Sequence, residues 1–237
     1  MKQFKQEKTY AYVDAAGHPS LGQLTPNILS GQSFEGGMSE NEKKYRVQMA
    51  EEHMKEVLEW LGYDVDIDPN MKETPHRYIK VLAQEICKGT YDPCPKMKSF
   101  ENQQNYGGII FEGNIGVKGI CSHHLLPIVG KAYVAVIPGD SVLGLSKYNR
   151  LVSWICNRPQ LQEQMTVQIV DELNKRLPGN KGIAVLIEAA HECVRLRGIE
   201  DPDSITTTCK LTGAFLDNKD QARTEFYNMV AQAKFRN

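Results

Sequence analysis

The chain has 237 residues, with 28 Lys plus Arg against 29 Asp plus Glu and a formal charge of −1, so no basic surface for nucleic acid is expected. At 41% hydrophobic and 24% charged residues it has the composition of a globular protein, long enough to bury roughly 70% of its unfolded surface. No apolar run reaches about eighteen residues, none follows Lys2, Lys5 and Lys8, and six cysteines form no regular framework; the expectation is a protein without membrane span, secretory signal or disulfide scaffold, in the reducing cytoplasm.

Residues 11–38 mix Gly, Ser, Pro and isolated hydrophobes without helical or strand period, and 1–38 reads as a flexible N-terminal arm. The remainder, 39–237, reads as one domain, helical over 39–105 and sheet-based over 106–237. Ser39 precedes an acidic first turn, and Val47, Ala50, Met54, Val57, Leu58 and Leu61 recur at helical spacing, which predicts a helix stopped by Gly62. A second helix is predicted from Thr74, with Pro75 in its first turn and Tyr78, Val81, Leu82 and Ile86 inward, to Lys88-Gly89.

After Asn105 the pattern becomes β-rich: Ile109 to Phe111, 131–138 and Val142-Leu143, punctuated by Gly113, Gly130 and Pro138-Gly139-Asp140. Helical period returns from Ser146 to Ile155, breaks at Arg158-Pro159 and resumes from Leu161 to Leu177. Strands are predicted at 182–190, 193–197 and 205–212, before a last helix with Ala222, Phe226, Met229 and Val230 inward. Paired helices and hairpin-like strands make the class α+β with a mainly antiparallel sheet.

Two clusters carry metal-ligand chemistry. Cys121 and His124 stand at ligand spacing just after a strand, and His191-Glu192-Cys193-Val194-Arg195-Leu196-Arg197, if extended, puts His191, Cys193, Arg195 and Arg197 on one face. Cys121, His124 and Cys193 together make a Cys₂His set with a fourth position open for water, the ligand mix that activates water against a nucleobase ring carbon in zinc deaminases. His123 and His191, beside these ligands, are placed to move protons. A lone Cys-x-x-His also fits a buried thiol beside a hydrogen-bonded His, and Cys87, Cys94, Cys156 and Cys209 read as small core hydrophobes. His18, His53 and His76 read as surface or helix-face residues.

Gly144 to Arg150 delivers a strand end into a helix start, where the Ser146 hydroxyl, Lys147 and Arg150 can converge on phosphate or simply cap a helix and face solvent. Arg77 and Lys80 add two cations on the second helix. Glu163, in the first turn after Arg158-Pro159, is favoured there by the helix dipole, and its carboxylate can also accept from both N–H groups on the guanine edge.

Together CSHHLLP (121–127), GLSKYNRLV (144–152), RPQLQEQ (158–164) and HECVRLRG (191–198), with ETPHR (73–77), resemble the GTP cyclohydrolase I family over about residues 45–230. The resemblance implies a tunnelling fold, an antiparallel sheet with paired helices assembled into a ring-shaped homodecamer with active sites at subunit junctions. It implies Zn²⁺ held by Cys121, His124 and Cys193, proton transfer by His123 and His191, and assistance from Ser146 at the ribose. Guanine contacts fall on Gln162 and Glu163, and triphosphate contacts on Arg77, Lys80, Ser146, Lys147, Arg150 and Arg197. The implied reaction opens the imidazole ring of GTP at C8, releases formate and yields 7,8-dihydroneopterin triphosphate, the first step towards tetrahydrofolate, pterins or deazaguanines. Two positions depart from the family pattern: Ser122 stands where Glu is usual, and Gln164 where Arg is common. Rival readings are a tunnelling-fold relative such as a nitrile reductase, with a Cys nucleophile and NADPH, and a non-catalytic nucleotide-binding oligomer.

Overall fold

The computed structural model describes residues 9–13, 19–23, 27–34 and 36–235. The chain divides into two compact units, Met1–Pro93 and Cys94–Asn237.

In the first unit the backbone of β1 (Thr9–Val13) pairs antiparallel with β2 (Pro19–Gln23), where the sequence carried no strand period. His18 lies outside the described residues. Further along the expected arm, Phe34 is buried, stacks on Tyr91 and donates its N–H to the Thr90 carbonyl. Helix α1 (Glu40–Trp60) starts where Ser39 accepts from the Glu42 N–H, an N-cap bond that satisfies one of the free first-turn donors. Its apolar stripe is only partly covered: Leu58 is buried, whereas Val57, Trp60 and Leu61 are exposed.

Helix α2 (Thr74–Lys80) has the expected Pro in its first turn. It then widens into a π-helical stretch, Val81–Ile86, closed by the Cys87 N–H bond to the Leu82 carbonyl, and the chain makes one more turn, α3 (Lys88–Tyr91). The predicted stop at Lys88-Gly89 therefore falls inside a helical turn, and Tyr78, expected inward, is exposed.

The second unit is built on a five-stranded sheet in the order β7-β4-β5-β8-β9, from β4 (Ile110–Cys121), β5 (Pro127–Ile137), β7 (Pro159–Gln160), β8 (Gly182–His191) and β9 (Thr206–Leu211). Only the short β4–β7 pairing is parallel, so the class is α+β with an antiparallel-rich sheet. A separate pair joins β3 (Ser99–Glu101) to β6 (Ser141–Leu143).

Alternation along the strands sorts side chains to two faces. Ile128, Ala132, Val134 and Val136 of β5, with Ile183, Val185 and Ile187 of β8, pack under α4 (Ser146–Cys156) and α5 (Gln162–Arg176), burying Leu151, Ile155, Met165, Ile169 and Leu173. The opposite residues, Tyr133, Ala135, Ile137, Ala184 and Leu186, pack with Phe215 of α7 (Ala214–Asp217) and with Ala222, Phe226 and Val230 of α8 (Ala222–Phe235).

One predicted strand is absent. Residues 192–195 form a helical turn, α6 (Glu192–Arg195), closed by the Leu196 N–H bond to the Glu192 carbonyl. The reason lies in the register: His191 is opposite Ile128, near the first residue of β5, so beyond it that neighbour offers no ladder and the backbone satisfies itself by coiling. Two of the cysteines read as core depart from that reading. Cys87 and Cys156 are buried, but Cys94 is half-buried, accepting from Arg176 at 3.1 Å, and Cys209 is exposed on the edge strand, 3.6 Å from the Tyr227 hydroxyl.

Candidate active site

Sheet register brings separate sequence segments to one end of the sheet. Cys121 closes β4, the turn at 122–126 returns the chain to β5, His191 closes β8 opposite Ile128, and Cys121 lies beside Gln160, just before α5 begins. The turn is fixed by the Leu125 N–H bond to the Cys121 carbonyl at 2.8 Å and the Cys121 N–H bond to the Leu126 carbonyl at 2.9 Å, with Leu125 in the left-handed region. This holds His124 back over Cys121.

One ligand atom each from Cys121, His124 and Cys193 lies within 4.8 Å of the others. Edges of a tetrahedral Zn–S site are about 3.8 Å, from bond lengths near 2.3 Å, so the three donors fit a metal with small side-chain movements. Cys121 is buried and Cys193 half-buried; burial and the adjacent Cys121 both push the Cys193 thiol up. Arg197 Nη1 lies 2.7 Å from His124 Nε2. Guanidinium only donates, so this bond and a metal on that nitrogen exclude one another.

His191 sits half-buried with Nε2 2.7 Å from Gln162 Oε1. Burial lowers its pKa below the usual histidine range, and the nearby Glu163 carboxylate opposes that shift. Glu163 itself is exposed in the first turn of α5, while Gln162 is buried with its amide already bonded. The side chain of Gln164, the departure from the expected Arg, accepts from the Leu161 N–H at 3.1 Å and caps α5. His123 is exposed in the turn, its ring centroid 6.1 Å from that of His124. Arg195 turns away to Glu192 at 3.3 Å, whereas Arg197 reaches His124 of the Cys₂His group.

The phosphate-type cluster is not brought to this place within the chain. Ser146, Lys147 and Arg150 start α4 after β6, and Asn149 reaches Glu112 at the opposite end of β4 from Cys121. Glu112 and Cys121 are nine residues apart along β4, at most about 30 Å at 3.3 Å per residue. No side chain caps α4, so the Ser146 hydroxyl is not used for that purpose. Arg77 and Lys80 are exposed on α2 of the first unit. Sequence reasoning missed Thr166 and Thr208, which bond each other at 2.6 Å behind Gln162; only the spacing of Thr166 from Gln162, one helical turn, pointed to either.

An α+β unit in which a Cys₂His group that could hold a metal lies beside a histidine and a carboxylate is the class of protein that the fold and site define. The family model for GTP cyclohydrolase I matches residues 50–231. Similar proteins include a GTP cyclohydrolase 1 of Flavobacterium johnsoniae, 38% identical over 92% of this chain and 95% of that protein. Those of Aliivibrio salmonicida, 43% identical over 83% and 88%, and Salmonella arizonae, 40% identical over 81% and 86%, match comparably. The chain belongs to the GTP cyclohydrolase I family, a family of enzymes.

Proposed function

We propose that the protein hydrolyses GTP at C8 of guanine, opening the imidazole ring, releasing C8 as formate and giving 7,8-dihydroneopterin triphosphate. The observation that carries this reading is the convergence of Cys121, His124 and Cys193 within 4.8 Å, beside His191 and Glu163. When bound by these three residues, zinc supplies Lewis acidity that brings the pKa of a water towards about 7.

The chain's own residues supply the rest. The Glu163 carboxylate accepts from N1–H and the exocyclic amino group of guanine, a pattern adenine does not offer. His191, kept neutral by burial, and His123, in the exposed turn, exchange protons with the purine as one water adds at C8 and a second releases formate. Ser146 moves a proton at the ribose during the later rearrangement, and Lys147, Arg150 and Arg197, with Arg77 and Lys80, hold the triphosphate.

We place the complete site at a junction between chains of a ring-shaped homo-oligomer, a decamer, with the tunnelling-fold sheet continued from copy to copy. Two features support this: Ser146, Lys147 and Arg150 start α4 at the Glu112 end of β4, the end away from Cys121, in the same chain, and Val57, Trp60, Leu61 and Ile67 expose apolar surface on the first unit. A cytoplasmic protein of reducing surroundings agrees with free thiols at the ligand positions. The product is a precursor for tetrahydrofolate, pterin or deazaguanine synthesis.

The test is formate release from GTP by zinc-loaded protein, with a chelator-stripped sample alongside. Formate that depends on the metal is expected; none from a folded, zinc-loaded oligomer would overturn the reading.

A further inference from the structure

Gln162 is 1% exposed, and the groups around its amide have fixed hydrogen-bonding roles. Its Nε2 lies 3.0 Å from the Ile187 carbonyl, 3.0 Å from the Thr206 carbonyl and 3.1 Å from Thr208 Oγ1. Carbonyl oxygens only accept, so the amino end must face them and Oε1 must face His191. An amide oxygen also only accepts. His191 Nε2, 2.7 Å away, therefore carries a hydrogen whenever this bond is made, and in the neutral ring the lone pair is on Nδ1.

The two threonines close a loop of the same sense. Thr166 Oγ1 is 3.0 Å from the Gln162 backbone carbonyl and can only donate to it. With that hydrogen used, Thr166 accepts from Thr208 at 2.6 Å, and Thr208 in turn accepts from the Gln162 amide. The loop thus orders its own hydrogens from the backbone carbonyl outward, and it backs the amide that His191 meets.

We infer that Gln162, backed by Thr208 and Thr166, is a positioning residue that holds His191 in the Nε2–H tautomer with Nδ1 left to meet the substrate, and that its side chain does not read guanine. This deepens the proposed function and rests on it for the role of His191. Consecutive residues of α5 then divide the work: Gln162 points inward and orients a histidine, and the exposed Glu163 carries the purine contact.

The test uses full-length, zinc-loaded protein with ¹⁵N-labelled histidine, and the Gln162→Met, Thr208→Val and Thr208→Ser variants. Nitrogen NMR of the resting wild type is expected to place the His191 hydrogen on Nε2, and Gln162→Met to lose that bias. Formate kinetics should show kcat down about 10–100-fold in Gln162→Met, with KM for GTP within about threefold. Thr208→Val should lower kcat less, and Thr208→Ser should restore it. A wild-type hydrogen on Nδ1 overturns the inference, as does Gln162→Met that raises KM while kcat stands, the signature of a substrate reader. If Gln162→Met fails to fold, the Thr208 pair and the wild-type spectrum decide. A wild type that releases no formate defeats the proposed function instead, and the tautomer in the resting protein still decides the positioning.

Discussion

Cys121, His124 and Cys193 come from a strand end, a hairpin turn and a single helical turn, yet one atom of each lies within 4.8 Å of the others. If they share a zinc, Cys121→Ser and Cys193→Ser should each lose bound metal and turnover together, as metal content by mass spectrometry and formate release would report. The loss should exceed the roughly 10–100-fold that an outer hydrogen-bonding partner costs. If Glu163 reads guanine, Glu163→Gln replaces one acceptor by a donor against the guanine edge. It should cost about 1.5–3 kcal/mol of substrate binding, read as a raised KM for GTP. Buried thiols and a buried phenol make a different prediction. Burial pushes Cys87, Cys156 and Tyr148 up to about 12, so they stay protonated in the fold where the unfolded chain begins to ionise near 9 or 10. Above that range the native state binds more protons than the unfolded one, so stability falls as pH rises. Thermal unfolding should move to lower temperature from about pH 9 upward, with a flat response just below it.

At the scale of elements, α4, α5 and α8 were legible because their apolar residues recur at helical spacing against a sheet that buries them. The turn of α6 was not, because Cys193-Val194-Arg195 alternates like a strand and only the end of β5 near Ile128 decides against it. The π-helical stretch after Lys80 was equally hidden, since Val81, Leu82 and Ile86 satisfy an ordinary helical period. Cys-x-x-His was visible as a ligand pair because a single turn carries both residues, whereas the Gln162–Thr208 contact crosses 46 residues and leaves no local pattern. Gly130 illustrates how tightly the sheet holds this end. A Cβ there would run into the Glu188 carbonyl and into Ala189 of β8. Gly130→Ala should therefore destabilise the protein by about 1–3 kcal/mol, as urea unfolding would show.

For the whole molecule, the separation of the two ends of β4 decides which candidate residues one chain can bring together. Ser146, Lys147 and Arg150 at the start of α4 and the Cys₂His group lie towards opposite ends of β4, a fact that periodicity along the sequence could not reveal because it depends on strand direction. If neighbouring chains complete each other's sites, Cys121→Ser and Arg150→Ala, each inactive alone, should regain activity when co-assembled. Mixed rings contain junctions where both contributions are intact. Metal-dependent ring opening is tested by stripping the metal, titrating zinc back into the full-length protein and following formate release from GTP. Formate should rise in proportion to zinc and level off at a single zinc per chain. Formate release that is indifferent to stripping, or its absence at full zinc occupancy, would contradict it.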